Sequence, residues 1–277
     1  MFKKVLTDLN EKCKNTCEDD YVKDGLVYCG KCHTPKQFRV KSALIDCLVW
    51  CMCQCEEENY EKEQSKLKKH ENELLVDRLR KTGIFDREMH SWNFENDNGS
   101  NSTLIKKAKL YVNNWEEMKT KNIGLCFFGN IGTGKTYAAA CIANALIDKG
   151  IRVVMTDFSC IINDMQSFDT GNKNAYVNDI CNSSLLILDD LGAERQSDYA
   201  LQIVEQVVDK RYKAKKPLIL TTNIPLEKIK NPEDTKYCRI YSRILGMTVP
   251  IQVDGQDKRK NTHAEKLEWA KRLFSCE

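Results

Sequence analysis

The sequence predicts an α/β protein: a parallel five-stranded sheet flanked by helices, preceded by a small cysteine-rich module and a charged helical linker. Three observations predict it. Short apolar runs alternate with amphipathic or alanine-rich segments from residue 124 onward. A glycine-rich turn joins the first of those runs to a helix, and eight of the fourteen cysteines crowd into the first 55 residues.

The cysteine-rich stretch comes first in the chain. It holds Cys13, Cys17, Cys29, Cys32, Cys47, Cys51, Cys53 and Cys55, whereas Cys126, Cys141, Cys160, Cys181, Cys238 and Cys276 scatter through apolar or mixed surroundings and read as core filling. In a reducing compartment clustered thiols are metal ligands or redox groups rather than disulfides. Cys29-x-x-Cys32 followed by Cys53-x-Cys55 supplies four thiolates in two close pairs, the set a structural Zn²⁺ takes. A metal staple suits a stretch of chain with little apolar core. Cys51 competes for one ligand position and His33 is a substitute ligand, while Cys13, Cys17 and Cys47 read as free thiols. The stapled module suits docking of a partner, not catalysis.

Residues 56–69 are almost wholly charged, and Leu74, Leu75, Val76 and Leu79 then appear before Gly83, so a solvated helix gains an apolar edge. The expected organisation is therefore a zinc-binding docking module at 1–55, a helical linker at 56–83 and one large domain at 84–277.

Within that domain Leu104, Ala108, Tyr111, Trp115 and Met118 recur at helical spacing and predict one amphipathic helix. Strands are expected at 124–128, 152–156, 185–188, 218–221 and 248–253, each an apolar run of the kind buried on both faces. Helices are expected at 135–149, stopped by Gly150, and at 159–166, 198–213 and 236–245. Such alternation gives a parallel sheet covered on both sides. No internal repeat is visible.

The totals agree with this plan. At 277 residues and 42% hydrophobic content the chain can build one substantial core and a smaller piece. A net charge of +3 neither requires nor excludes nucleic acid. Residues 1–9 lack the apolar stretch of a signal peptide and no run approaches membrane-spanning length, so the expected compartment is the cytoplasm, without membrane contact.

The glycine-rich turn carries the chemistry. Gly129-Asn130-Ile131-Gly132-Thr133-Gly134-Lys135-Thr136 fits G-x-x-x-x-G-K-[ST] after a strand and before an alanine-rich helix. Phosphate oxygens need several amide N–H donors converging on one point, so the loop must wrap closely. Lys135 adds a mobile positive charge, Thr136 a hydroxyl suited to Mg²⁺, and the helix N-terminus further positive potential. The expected ligand is ATP with Mg²⁺, held by this loop and the adjoining Tyr137.

The run at 185–188 ends in Asp189 and Asp190, at the sheet edge where the phosphate loop also sits. Asp189 is suited to hold Mg²⁺ through its water shell, and Asp190 to orient or deprotonate an attacking water. The next strand exits into Asn223, whose amide could bridge that water and the γ-phosphate, although strands often leave through Thr-Asn turns. Arg239 and Arg243 lie four residues apart on one side of a helix, where they could reach a neighbouring subunit's γ-phosphate; two surface arginines would look the same.

Taken together these words resemble the DnaC/IstB-type AAA+ ATPases, in particular the DnaC-like helicase loaders of phages and mobile elements. The likeness runs from roughly residue 85 to 270. It rests on GNIGTGKT (129–136), AAACIANALIDKG (138–150), LLILDDLGAER (185–195), LILTTN (218–223) and RIYSRIL (239–245), and extends to YCGKCHTPKQ (28–37) and CMCQCE (51–56). It implies an AAA+ P-loop NTPase with Lys135 and Thr136 in Walker A, Asp189 and Asp190 in Walker B, and Asn223 as sensor 1. Arg243 would be an arginine finger acting in trans, Arg239 a second ATP-facing arginine.

The resemblance further implies ATP-controlled delivery of a hexameric replicative helicase, bound through the amino-terminal module, to single-stranded DNA. A finger acting in trans implies a homo-oligomer. Two departures stand out. Asp190 occupies a position where many AAA+ proteins have Glu, which implies slow hydrolysis, and no separate helical lid is expected beyond 260–273, which leaves a sensor 2 arginine unassigned. Lys213, Lys215, Lys216 and the run Lys258-Arg259-Lys260 could meet DNA phosphates, although such runs are ordinarily just solvated. Competing readings are an IstB-like transposition helper ATPase, against which the metal-binding module counts, and a nucleotide-gated adaptor with little turnover.

Overall fold

The computed structural model describes residues 14–42, 46–97, 99, 101–167, 170–193, 197–255 and 257–274, with the side chains of 170, 171 and 258–265 left aside. The readings on Cys13, Arg195, Cys276 and the Lys258-Arg259-Lys260 side chains lie outside this set. The chain forms two compact units, residues 1–73 and 74–277.

The first unit contains two antiparallel ribbons, β1 (Tyr21–Lys23) with β2 (Leu26–Tyr28) and β3 (Gln37–Lys41) with β4 (Asp46–Trp50). Asp24 and Gly25 turn β1 into β2 with φ of 53° and 74°, the doubly positive geometry whose twist matches a two-residue hairpin. The strands are too short for their alternation to be seen in the sequence. At the centre stands Lys36, 1% exposed, with Nζ 2.9 Å from Asp20, 3.2 Å from Glu56 and 2.8 Å from the Asn15 carbonyl oxygen. A buried ammonium persists only when partnered in this way. Helix α1 (Gln54–Gly83) begins in this unit, with Glu56 and Glu57 in its first turn and Arg80 and Lys81 in its last, the sense that suits the helix dipole.

The second unit is the predicted sheet. Its strands are β5 (Gly124–Phe128), β6 (Val153–Asp157), β7 (Leu185–Leu191), β8 (Leu218–Thr222) and β9 (Thr248–Gln252), all parallel, in the order β6-β7-β8-β5-β9. The helices are α2 (Ser102–Asn113), α3 (Trp115–Thr120), α4 (Lys135–Ile147), α5 (Phe158–Ser167), α6 (Thr170–Asn182), α7 (Asp198–Ala214), α8 (Leu226–Lys230), α9 (Thr235–Met247) and α10 (Lys258–Phe274). Successive strand residues feed two separate cores. Leu125, Phe127, Leu185 and Ile187 pack with α2 and α4, whereas Cys126, Leu186, Leu188 and Leu220 pack with α5, α7 and α9. Both faces being covered is why β5 to β8 read as apolar runs. The run expected to be buried on both faces at 248–253 is instead the edge strand β9, with Val249 and Pro250 exposed.

The single helix expected over Leu104 to Met118 is instead two. Asn114 interrupts it at φ −103°, ψ 24°, and its Nδ2 returns to the Leu110 carbonyl oxygen at 2.8 Å, a local bond that competes with helix continuation. Helix α6 was not anticipated because it is polar along most of its length and buries little beyond Val177, Ile180 and Cys181. At the sheet edge where β7 and β8 begin, Arg211 of α7 is wholly buried. Its guanidinium donates to the carbonyl oxygens of Cys181, Ser183, Ser184 and Pro217, and burial lowers its pKa to about 10. No helix among the described residues is long and apolar enough to cross a membrane.

Candidate nucleotide site and cysteine cluster

The phosphate loop connects β5 to α4 at the sheet edge where the strands end. Gly129 has φ 145°, and a Cβ there would stand 2.3 Å from the Val253 carbonyl oxygen; Gly134 has φ 94° immediately before the helix. Side chains are excluded at the first position by space and at the second by conformation. Thr133, 1% exposed, closes the loop by donating Oγ1 to the Asn130 carbonyl oxygen at 2.9 Å.

Lys135 is 5% exposed, and its ammonium donates to the carbonyl oxygens of Gly129 (3.0 Å) and Asn130 (2.6 Å) and to Oδ1 of Asn223 (2.8 Å). Asn223 follows β8, which lies between β5 and β7. Its Nδ2 in turn donates to Oδ1 of Asp190 at 3.3 Å. A polar relay therefore runs from the phosphate loop across the sheet edge to the acidic pair.

The two aspartates are held differently. Asp189 accepts from the Thr221 hydroxyl at 2.5 Å and from Thr136; burial raises its pKa above the ordinary carboxylate value, against those hydroxyls. Asp190 is exposed and sits at φ 51°, in the left-handed region, where the pairing of β7 with β8 shifts register between Leu188 and Leu191. Its N–H donates to the Thr221 oxygen at 2.9 Å. A bulge carrying a left-handed non-glycine residue is strained backbone of the kind functional sites retain.

These groups surround a cavity of about 360 Å³ lined by the chain from Ile131 to Tyr137, with Asp190, Asn223 and Trp92. Asp189 is not in the wall and meets it through Thr136. Trp92, from a loop well before the phosphate motif, is the wall residue that sequence reasoning missed. No local pattern announces it. Arg239 and Arg243 are also outside the wall: on α9 they pair across to α7, Arg243 with Asp209 at 2.6 Å and Arg239 with Glu205 at 3.2 Å.

In the first unit, the Sγ atoms of Cys29, Cys32, Cys53 and Cys55 all lie within 4.8 Å of one another. Cys29 to Thr34 form a tight turn: the His33 N–H donates to the Cys29 carbonyl oxygen at 3.0 Å and the Cys29 N–H to that of Thr34 at 2.9 Å. Cys53 and Cys55 lie at the start of α1, where Glu56 accepts from the Cys53 N–H at 3.2 Å and the Thr34 hydroxyl accepts from the Gln54 N–H at 3.0 Å. Cys51 turns aside to the Pro35 carbonyl oxygen, so between the competing thiols the cluster includes Cys53, and His33 is not part of it. The Thr34 hydroxyl is the largest influence drawing the Cys32 thiol down to about 5. Four zinc-bound sulfurs stand about 3.8 Å apart, from a Zn–S bond of about 2.3 Å. The separations here lie around that spacing, 3.3 Å for Cys53–Cys55, 3.6 Å for Cys29–Cys55 and none above 4.8 Å, so small shifts would let the four sulfurs hold the ion.

A five-stranded parallel sheet flanked by helices, carrying a phosphate loop beside an acidic strand end, defines a P-loop ATP-binding protein of the AAA+ class. The chain belongs to the IstB-like ATP binding protein family, whose sequence profile matches residues 55–266. It is 32% identical over 128 residues to the replicative helicase loader DnaC of Escherichia coli strain K12, covering 45% of this chain and 51% of that protein. It is 26% identical over 150 residues to the replicative helicase loader DnaI of Bacillus subtilis strain 168, covering 50% and 48%. The chain thus spans about half the length of the curated relatives it matches. The crystal structure of the DnaC helicase loader superposes with a TM-score of 0.53 at 25% identity, over 61% of this chain and all of that one.

Proposed function

We propose that this chain is a bacterial or phage-encoded cytoplasmic ATPase that loads a hexameric replicative helicase onto single-stranded DNA during DNA replication, acting as a homo-oligomer. The observation that carries the proposal is the likeness to replicative helicase loaders, in sequence and in fold, of a chain whose family match at 55–266 includes the phosphate loop. The cysteine-rich module, residues 1–55, docks the helicase; residues 56–83 link it to the AAA+ domain at 84–277. Cys29, Cys32, Cys53 and Cys55 would hold a structural Zn²⁺.

At the nucleotide, the loop amides from Gly129 to Gly134 and the Lys135 ammonium bind the β- and γ-phosphates. Thr136 and Asp189 would hold Mg²⁺, which supplies neutralising charge to the phosphates when bound. Asp190 orients the attacking water and draws its proton, and Asn223 fixes the position of that water against the γ-phosphate. Arg243, assisted by Arg239, serves the site of a neighbouring copy, which requires release of its pairing with Asp209.

A second reading, a nucleotide-gated adaptor with little turnover, is favoured by the short Asp190 side chain on its bulged backbone. The test is ATP hydrolysis with and without single-stranded DNA, together with co-purification against candidate helicases and transposases. A loader hydrolyses ATP and retains a helicase. A near-zero, DNA-independent rate leaves the adaptor, and recovery of a transposase alone replaces the loader with a transposition helper.

A further inference from the structure

We propose that Trp92 is the platform on which the base of the bound nucleotide stacks, and that Asn144 and Tyr137 are the positioning residues that hold it there. The inference rests on the ATP reading above. With the phosphates fixed by residues 129–136, the nucleoside must extend along the rest of the cavity wall. Trp92 and Tyr137 are the aromatic side chains of that wall, with ring centroids 5.6 Å apart and planes inclined at 40°.

The position of Trp92 is built rather than incidental. It follows a 3₁₀ turn, Arg87–Ser91, opened by Asp86, which accepts from the Glu88 N–H at 2.9 Å. That turn is fastened to α4 by a buried amide. Asn144, 3% exposed, donates Nδ2 to the carbonyl oxygens of Met89 (2.8 Å) and Trp92 (2.9 Å), while its Oδ1 accepts from Arg80 at 3.1 Å. Tyr137 donates its hydroxyl to the Asn93 carbonyl oxygen at 2.7 Å. An amide inside a helix is costly to bury unless its bonds are made, and here they are made to the two residues that set the indole's backbone. The helix that begins with Lys135 and Thr136 therefore also fixes the aromatic wall, so the phosphate and base subsites share one rigid element.

Stacking engages the π face that every base presents, so it adds affinity for the nucleoside and none for bare phosphate. The test measures Mg²⁺-dependent binding of ATP, GTP and inorganic tripolyphosphate to the full chain and to Trp92→Ala, Trp92→Phe and Asn144→Ala. Trp92→Ala is expected to weaken ATP and GTP by at least about tenfold. Trp92→Phe retains most of the affinity, Asn144→Ala follows Trp92→Ala, and tripolyphosphate binds all four alike. In the unaltered chain ATP changes tryptophan emission, a change lost in Trp92→Phe and not produced by tripolyphosphate. Equal losses for ATP and tripolyphosphate, or no loss for either in Trp92→Ala, overturn the proposal. Failure of the unaltered chain to bind ATP would instead overturn the ATP reading itself.

Discussion

The ammonium of Lys135 donates to Oδ1 of Asn223 at 2.8 Å, joining side chains 88 positions apart in the chain. The bond exists because β8 lies beside β5 in the sheet, so the exit of one strand faces the first helical turn after the other. The two groups proposed to serve phosphate charge and water are thereby held together.

Lys135→Ala is expected to abolish measurable ATP binding, whereas Asn223→Ala keeps binding within a few-fold and lowers the hydrolysis rate by roughly a hundredfold. Equilibrium binding and single-turnover hydrolysis separate the two effects. Equal losses of binding in both variants would remove Asn223 from the water-positioning role.

Asp190→Asn preserves a residue type that tolerates the left-handed conformation, so the melting temperature stays near that of the parent while hydrolysis falls by about a hundredfold. Asp190→Gly goes further, stabilising the fold by roughly 0.5–1 kcal/mol as strain is relieved and losing the same activity. An unchanged rate in Asp190→Asn would contradict the assignment.

One equivalent of zinc per chain is expected by metal analysis. It is retained in Cys51→Ser, which stands outside the cluster, and lost in Cys53→Ser. Chelation should unfold residues 1–73 while the sheet unit keeps its own transition, read by circular dichroism, because thiolate cages of this kind supply the folding free energy of small modules.

Arg211→Met removes the guanidinium from four carbonyl oxygens, those of Cys181, Ser183, Ser184 and Pro217, of which Pro217 keeps the Leu186 N–H, and is expected to cost about 3 kcal/mol in urea unfolding of the sheet unit. A loss within 0.5 kcal/mol would mean that water takes over those bonds.

The hydrogen bond from Lys213, followed by the charges of Arg243 and Arg239, holds the Asp209 carboxyl below its ordinary value of 3.8 despite some burial. A carboxylate with a depressed folded pKa stabilises the protein above the ordinary value and loses that contribution as pH falls through the folded one. Asp209→Asn should therefore be less stable at neutral pH by up to about 1 kcal/mol, with the gap closing as pH falls below the ordinary carboxylate value and through the lowered folded one. A gap that does not change with pH would show that Asp209 acts by packing alone.

Much of the molecule was legible in the residues. Four strands of the sheet, β5 to β8, are largely apolar runs because both their faces are covered, whereas the edge strand β9 leaves Val249 exposed; Gly129 to Thr136 is contiguous because a phosphate loop is one short turn. The amino-terminal hairpins left no comparable trace, since strands of three to five residues alternate too briefly. Nor did the break at Asn114, where a side-chain bond to Leu110 outweighs an unbroken apolar stripe.

The sequence by itself determined the class of sheet, the phosphate loop and the acidic strand end, because each is set by neighbours a few positions apart. Only the tertiary structure decided that Cys53 and not Cys51 joins the cysteine cluster, that Arg243 is tied to Asp209, that Asp190 sits on a bulge, and that Trp92 walls the cavity beside the phosphate loop. Those outcomes depend on distances between residues far apart in the chain. Such distances are fixed by strand order and helix packing, which no local spacing encodes.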